Sequence, residues 1–200
     1  GLPDLIIGLA GGNLLLFRNQ GEKNKPEFGQ AEYLYDSDGK LIVTNNSLTN
    51  PRIVDWNNDG LLDLVVGIYD GKVCWYENTG TNTSRKLELR GNIKEDDQEL
   101  SIPIRPCPEA EHYKHEDSPG IDIVDWDNDG DLDLLLGGFI TGYIWYYENI
   151  GNSSDGTPTL AFRGPILANG KPIDTSWCAY PCAVDLDNDG DLDLLSGNLS

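Results

Sequence analysis

Apolar residues in this chain come in short runs, each opened by aspartate and closed by glycine. Asp4-Leu-Ile-Ile-Gly8, Asp63-Leu-Val-Val-Gly67, Asp133-Leu-Leu-Leu-Gly137 and Asp193-Leu-Leu-Ser-Gly197 are four copies of one pattern. Runs this short and continuous predict strands covered on both faces, because a strand with one wet face would alternate apolar with polar residues. After a glycine-containing turn comes a second strand, read in Gly12-Asn-Leu-Leu-Leu-Phe-Arg-Asn-Gln-Gly21, Gly71-Lys-Val-Cys-Trp-Tyr-Glu-Asn-Thr-Gly80 and Gly142-Tyr-Ile-Trp-Tyr-Tyr-Glu-Asn-Ile-Gly151. The copies align without gaps, so Phe17, Tyr76 and Tyr147 form one column and Leu16, Trp75 and Tyr146 the next. Adjacent columns face opposite sides of a pleated sheet, and the aromatic stripes read as packing between sheets rather than as a ligand platform. A third strand and a hairpin complete each unit over residues 28–43, 87–102 and 160–173, with turns at Asp38-Gly39, Glu95-Asp96-Asp97 and Asn169-Gly170. No stretch shows sustained helical periodicity, so the expected fold class is all-β.

Each aspartate that opens an apolar run also ends a polar loop. Asp125-Trp126-Asp127-Asn128-Asp129-Gly130-Asp131-Leu132-Asp133 places carboxylates at positions 1, 3, 5 and 9 and glycine at position 6. The register recurs as Asp55-x-Asn57-x-Asp59-Gly60-x-x-Asp63 and as Asp185-x-Asp187-x-Asp189-Gly190-x-x-Asp193, while Gly1-Leu2-Pro3-Asp4 matches positions 6 to 9. Alternate carboxylates on a tight loop can converge on a hard cation, and calcium accepts six to eight oxygens at about 2.3–2.6 Å in forgiving geometry. Glycine at position 6 permits a sharp turn through positive φ. The loop is not an EF-hand: its position 12 is Val66, Leu136 or Ser196, inside a strand, where an EF-hand has glutamate at a helix. Turn-forming Asp and Gly without any metal are the plain alternative, and three copies in one register weigh against it. The strands entering the loops are Arg52-Ile-Val-Asp-Trp56, Asp122-Ile-Val-Asp-Trp126 and Ala183-Val-Asp-Leu186, so each loop joins the first and second strands of a sheet.

The loop glycines Gly1, Gly60, Gly130 and Gly190 are 59, 70 and 60 residues apart. That period, built from short strands, belongs to blades rather than to helical solenoids. It divides the chain at about residues 1–50, 51–119, 120–180 and 181–200, with the first and last units incomplete. The pattern Val-Asp-Trp-Asp-Asn-Asp-Gly-Asp-Leu-Asp-Leu-Leu-Leu-Gly, followed by Trp-Tyr-Tyr-Glu-Asn-Ile-Gly, resembles the FG-GAP/VCBS-type repeat of calcium-binding β-propellers, which is related to integrin α-subunit blades. The resemblance covers nearly the whole chain. It implies four-stranded antiparallel blades with calcium in the loop between the first two strands, about three ions in all. Carried over position by position, the ligands would be Asp55, Asn57, Asp59 and Asp63; Asp125, Asp127, Asp129 and Asp133; and Asp185, Asp187, Asp189 and Asp193, with backbone carbonyls of Leu61, Asp131 and Asp191. Asn57 stands where the other loops have Asp, so the first site is expected to bind more weakly. Two full blades flanked by partial ones fall short of a closed propeller, which generally has at least four and often six to eight. The segment is therefore expected to belong to a larger six- to eight-bladed ring or to pair with another copy of the chain, because unpaired blade edges invite association.

Composition sharpens this picture. Fourteen Lys and Arg against thirty-four Asp and Glu give a net charge of −20, which argues against a nucleic-acid or anionic-membrane partner. No run approaches the ~18 apolar residues of a membrane-spanning helix. The sequence opens partway through a repeat, so it is expected to be a piece of something longer. Of the four cysteines, Cys178 and Cys182 are the favoured disulfide, with Cys74 and Cys107 as a second candidate pair; Cys74, within a predicted strand, reads equally well as a buried free thiol. Calcium and disulfides together point to an extracellular, cell-surface or periplasmic setting.

Two functions follow as expectations. The first is a structural and recognition scaffold for carbohydrate or protein. The second is the propeller portion of a polysaccharide-degrading, lyase-like enzyme. It draws on the 103–119 connection, which holds Cys107, Glu109, Glu111, His112, Tyr113, His115, Glu116 and Asp117. His112, Tyr113 and His115 are the catalytic candidates, able to supply a general base and acid for elimination across a uronic acid, as some propeller-built lyases use His and Tyr. A transition metal on His112 and His115 with Cys107 or an acid is a weaker alternative, and an exposed acidic loop is the simplest. No G-x-S-x-G elbow or phosphate-binding glycine loop is present.

Overall fold

The computed structural model describes residues 2–44, 48–68, 71–95, 98–100, 102 and 119–198, and these residues form an all-β chain with no α-helix. β1 (Leu5–Gly8), β2 (Leu14–Asn19) and β3 (Phe28–Tyr33) make a three-stranded antiparallel sheet. β4 (Asn50–Val54), β5 (Asp63–Ile68), β6 (Lys72–Asn78) and β7 (Leu87–Asn92) make the second, in sequence order and antiparallel throughout. After the short hairpin β8 (Lys94–Glu95) and β9 (Gln98–Glu99) comes the third sheet, built on β10 (Gly120–Val124), β11 (Asp133–Gly137), β12 (Ile144–Asn152) and β13 (Pro158–Pro165). A second hairpin, β14 (Leu167–Ala168) and β15 (Lys171–Pro172), leads to β16 (Tyr180–Val184) and β17 (Asp193–Gly197), which pair as a fourth sheet.

The repeat is kept in the register. Leu64 faces Tyr76 and Val65 faces Trp75 across β5 and β6, just as Leu134 faces Tyr147 and Leu135 faces Tyr146 across β11 and β12. Alternation along these strands then sends successive side chains to opposite neighbours. Leu64, Val66, Cys74 and Tyr76 pack with Leu14 and Ile42 of the first repeat, whereas Val65 and Trp75 pack with Leu134, Leu136 and Tyr147 of the third sheet. Leu135 and Ile144 turn the other way, toward Ala179, Ala183 and Leu194. Leu64, Val65, Val66 and Leu134, Leu135, Leu136 are all fully buried, each such burial contributing about 1.5–3 kcal/mol. This is the two-faced strand that the short apolar runs predicted.

The third hairpin stays beside its own unit, as expected, where the Ile166 N–H donates to the Ile144 carbonyl at 2.8 Å, but the second reaches into the next sheet. β8 and β9 extend the third sheet beyond β13, where Leu160 pairs in parallel with Glu95 and the Phe162 N–H donates to Glu95 Oε1 at 3.1 Å. The first repeat does the same on a smaller scale, the Ser37 N–H donating to the Leu87 carbonyl at 2.8 Å. A bulge opposite Trp75 and Tyr76, with Gly91 at φ 109°, turns the chain out of β7. Ile93, Leu100 and Ile102 are then buried in the cluster between the second and third sheets. A carboxylate ties the inner strands together as well. Asp122 on β10 accepts from Arg52 Nε on β4 at 2.9 Å and from the Ala183 N–H on β16 at 2.7 Å.

The cysteine expectation needs correction. Cys178 and Cys182 form no disulfide, because Cys178 is buried in the turn before β16 while Cys182 is exposed opposite Leu195 on the outward face. Cys74 is a buried free thiol between the first two sheets, its pKa pushed up to about 12 by burial; Cys107 lies outside the described residues. No helix among the described residues is long and apolar enough to cross a membrane.

Leu134 and Leu5 occupy the same column, but Leu134 is fully buried and Leu5 is 41% exposed. Leu134→Ala should cost about 2–5 kcal/mol and Leu5→Ala no more than about 1 kcal/mol in urea denaturation. Equal losses would contradict the stacking of the second sheet on the third.

Candidate functional site

The three loops fold alike because their own carboxylates satisfy their backbone. The position-1 aspartate receives two N–H groups: Asp59 N and Gly60 N reach Asp55 at 2.9 and 2.8 Å, Asp129 N and Gly130 N reach Asp125 at 3.0 and 3.1 Å, and Asp189 N and Gly190 N reach Asp185 at 3.2 and 3.1 Å. The position-5 carboxylates of Asp59, Asp129 and Asp189 accept from the N–H groups of Leu61, Asp131 and Asp191 at 2.8 to 2.9 Å. The turn needs two left-handed residues. The expected glycines Gly60, Gly130 and Gly190 lie at φ 87°, 102° and 98°, and Asn58, Asn128 and Asn188 at 59°, 62° and 66°. Asparagine tolerates this region better than other side chains with a Cβ.

The ninth-position aspartate fastens each loop to the sheet. Asp63 accepts the Trp56 N–H at 3.2 Å and the Asn78 N–H at 2.7 Å, and Asp133 accepts the Trp126 N–H at 2.9 Å and the Asn149 N–H at 2.8 Å. Both carboxylates are fully buried. Burial pushes the Asp63 pKa up to about 6, against the lowering effect of its Asn78 and Trp56 bonds and with the Asp59 charge adding to the rise. Asp133 is raised chiefly by burial, with the Asp127 charge again adding. Crowded, dehydrated carboxylates of this kind favour either a proton or a cation.

Asp125, Asp127 and Asp133 each place an oxygen within 4.8 Å of the others, as do Asp185, Asp187 and Asp193. That span is about what two oxygens on opposite sides of one calcium ion require at about 2.3–2.6 Å each, and the donors are all hard oxygens. These residues therefore fit such an ion. Asp129 and Asp189, also expected as ligands, are not in the clusters and turn instead to the N–H of position 7. In the first loop Asn57 turns its amide nitrogen toward Asp59 Oδ2 at 3.3 Å and Glu77 Oε1 at 3.2 Å.

Several contributors went unnoticed in the sequence. The Tyr146 hydroxyl shares its one proton between Asp127 at 3.2 Å and Asp133 at 3.3 Å, and burial beside these charges drives its pKa far up. Trp75, its counterpart in the second sheet, lies near enough to Asp63 to lower that pKa, although its Nε1 makes no hydrogen bond of proper geometry. Asn78 and Asn149 are buried, and their side-chain oxygens accept from Gly80 and Gly151 at 3.1 Å. The repeated Asn-x-Gly at the end of each second strand was the available signal. His112, Tyr113 and His115 lie outside the described residues.

The FG-GAP-like repeat family matches residues 120–196, spanning the third sheet, its following hairpin and the last complete loop. The chain is similar to the 4-hydroxy-tetrahydrodipicolinate synthase of Staphylococcus saprophyticus, 39% identical over 56 residues that cover 28% of this chain and 19% of that protein. The match thus spans about a fifth of that relative's length. Among solved structures, the Photorhabdus luminescens Tc holotoxin pore aligns with 96% of this chain and 8% of that one, at 16% identity and a TM-score of 0.47.

The buried Asn149 amide also donates to the Leu132 carbonyl at 3.2 Å, on the approach to Asp133. Asn149→Ala should cost about 1–3 kcal/mol, and equally in calcium and in chelator, since the backbone N–H that reaches Asp133 survives. A loss confined to calcium would give Asn149 a different role.

Proposed function

We propose that this chain is a calcium-stabilised β-propeller segment that serves as a structural and recognition scaffold for a carbohydrate or protein ligand, in an extracellular, cell-surface or periplasmic setting. The observation that carries the reading is the pair of three-carboxylate clusters at the same register, Asp125, Asp127, Asp133 and Asp185, Asp187, Asp193. Calcium at each would offset the repulsion among grouped carboxylates in a chain of net charge −20 and neutralise the cost of burying Asp133. Its role is structural: the ion ties the first strand of a sheet to the second, and it stabilises by mass action because the unfolded chain has no assembled site. The loop holding Asn57 has one charge fewer and should bind more weakly than the other two.

The same reading includes partners. In the inner sheets the apolar runs of β5 and β11 are covered on both faces, but the outer sheets leave Leu5, Ile7 and Leu195 at 41%, 39% and 47% exposure. Further blades of a larger ring, or another copy of the chain, would cover them. The acidic surface argues against nucleic acid.

Asp127→Ala tests the calcium reading. At calcium about a hundredfold above Kd, an occupied site adds about 2.7 kcal/mol, so the variant should melt about 5–10 °C lower than the parent. In chelator the two should melt nearly together. An equal difference in both buffers would argue against metal at that loop.

A further inference from the structure

The second and third sheets part at the surface into a cleft of about 580 Å³, within the range of about 300–1,000 Å³ typical of small-molecule sites. One wall is the end of β7 and the chain leaving it, with Arg90, Asn92 and Lys94; the other is the β12–β13 turn and the start of β13, with Ser154, Asp155 and Thr159. Trp56 and Trp75, nearly covered by their neighbours, close the floor. We propose that this cleft between neighbouring sheets binds a short neutral saccharide, an inference that rests on the recognition-scaffold reading above and gives its ligand a chemical class.

The walls carry hydroxyl, amide, guanidinium and carboxylate groups, a mixture of donors and acceptors that suits a ligand whose hydroxyls do both. They are also held in place before any ligand arrives. Ser153 Oγ donates its one proton to Asp155 at 2.6 Å and lies 2.9 Å from the Thr157 carbonyl, and the Thr157 N–H donates to Asp155 at 3.1 Å. On the opposite wall Arg90 is paired with Glu77 and, at 3.7 Å, with Glu88. Both walls are fastened to one loop. The Asn57 amide reaches Glu77, and Asn152, just before the turn, donates to the Asn57 carbonyl at 2.9 Å. A rigid, pre-bonded cleft loses little ordering entropy on binding, which favours affinity.

Other ligand classes fit less well. Arg90 already faces two glutamates, and the chain's net charge of −20 repels acidic glycans. An extended peptide would need an unbroken strand edge, but the bulge at Trp75 and Tyr76 interrupts β7 at Gly91, where the edge borders the cleft.

The test is a titration of the calcium-loaded chain with cellotriose, chitotriose and maltotriose, followed by tryptophan fluorescence, because two tryptophans lie at the floor. At least one sugar should give a saturable change with Kd of about 1 mM or tighter. Thr159→Trp, an exposed substitution that fills the cleft, should weaken that binding at least about tenfold while leaving the melting temperature near that of the parent. Ser154→Tyr, in the turn, is the second blocking variant should Thr159→Trp fail to fold. No saturable response to any of the three sugars, or binding undiminished by a folded blocking variant, overturns the proposal. Calorimetry of calcium binding on the same samples keeps the two readings apart: calcium uptake without a sugar response removes the saccharide site and leaves the calcium scaffold standing.

Discussion

A carboxylate without exposed surface is a costly thing to place at the edge of a small sheet, and Asp63 and Asp133 are each such a group. Each offsets its dehydration by accepting two backbone N–H groups, one from the second residue of its own loop and one from the strand that follows the one it opens. A single side chain thereby holds a loop, the strand it opens and the following strand in one arrangement. The incomplete repeats act as internal controls. Asp193 accepts the Leu186 N–H at 3.0 Å and is exposed, and Asp4 is exposed with the Asn19 N–H at 2.8 Å. The buried pair, Asp63 and Asp133, open β5 and β11, the strands covered on both faces.

The second requirement is that β5 and β11 be covered on both faces. Leu135 can be fully buried only because a fourth sheet begins with β16 and β17, and Leu64 only because a first sheet precedes it. Neighbouring sheets are therefore held by shared apolar columns, with a few polar ties added. Asp122 serves three inner strands at once, and the β8–β9 hairpin reaches across to the outer edge of the next sheet. Such ties add register to an interface whose affinity comes from area.

Much of this was legible in the sequence, where the information is local. The aspartate-to-glycine runs mark β1, β5, β11 and β17, and the columns through Tyr76 and Trp75 give the correct opposite facing because alternation depends only on neighbouring residues. Positive φ at Gly60, Gly130 and Gly190 follows from the same local logic. What depends on placement of one repeat against another was hidden. The β8–β9 hairpin joins a sheet whose strands begin more than twenty residues later, and no turn signal records that. Spacing alone also misled at Cys178 and Cys182, where a four-residue separation suits a bridge but the burial of one and exposure of the other do not. Asp129 and Asp189, expected from spacing as ligands, each use one carboxylate oxygen to accept the backbone N–H two residues on.

The one departure among the complete loops, Asn57 in place of aspartate, has a physical reading in this frame. Where Asp127 accepts from the Tyr146 hydroxyl, the counterpart of Tyr146 is Trp75, which leaves position 3 of the first loop without that phenol. Glu77 stands beside it instead, and an aspartate there would set two like charges together, whereas the asparagine amide donates to Glu77 at 3.2 Å. Glu77 in turn holds Arg90, and the Asn57 carbonyl holds Asn152 on the neighbouring sheet. In the third sheet the counterpart Glu148 holds Arg163 at 2.6 Å. The substitution therefore exchanges one unit of charge in the loop for a side-chain hydrogen bond to Glu77, and through it to the Arg90 wall of the adjoining cleft, whereas the tie to Asn152 runs through the backbone carbonyl and does not depend on the side chain.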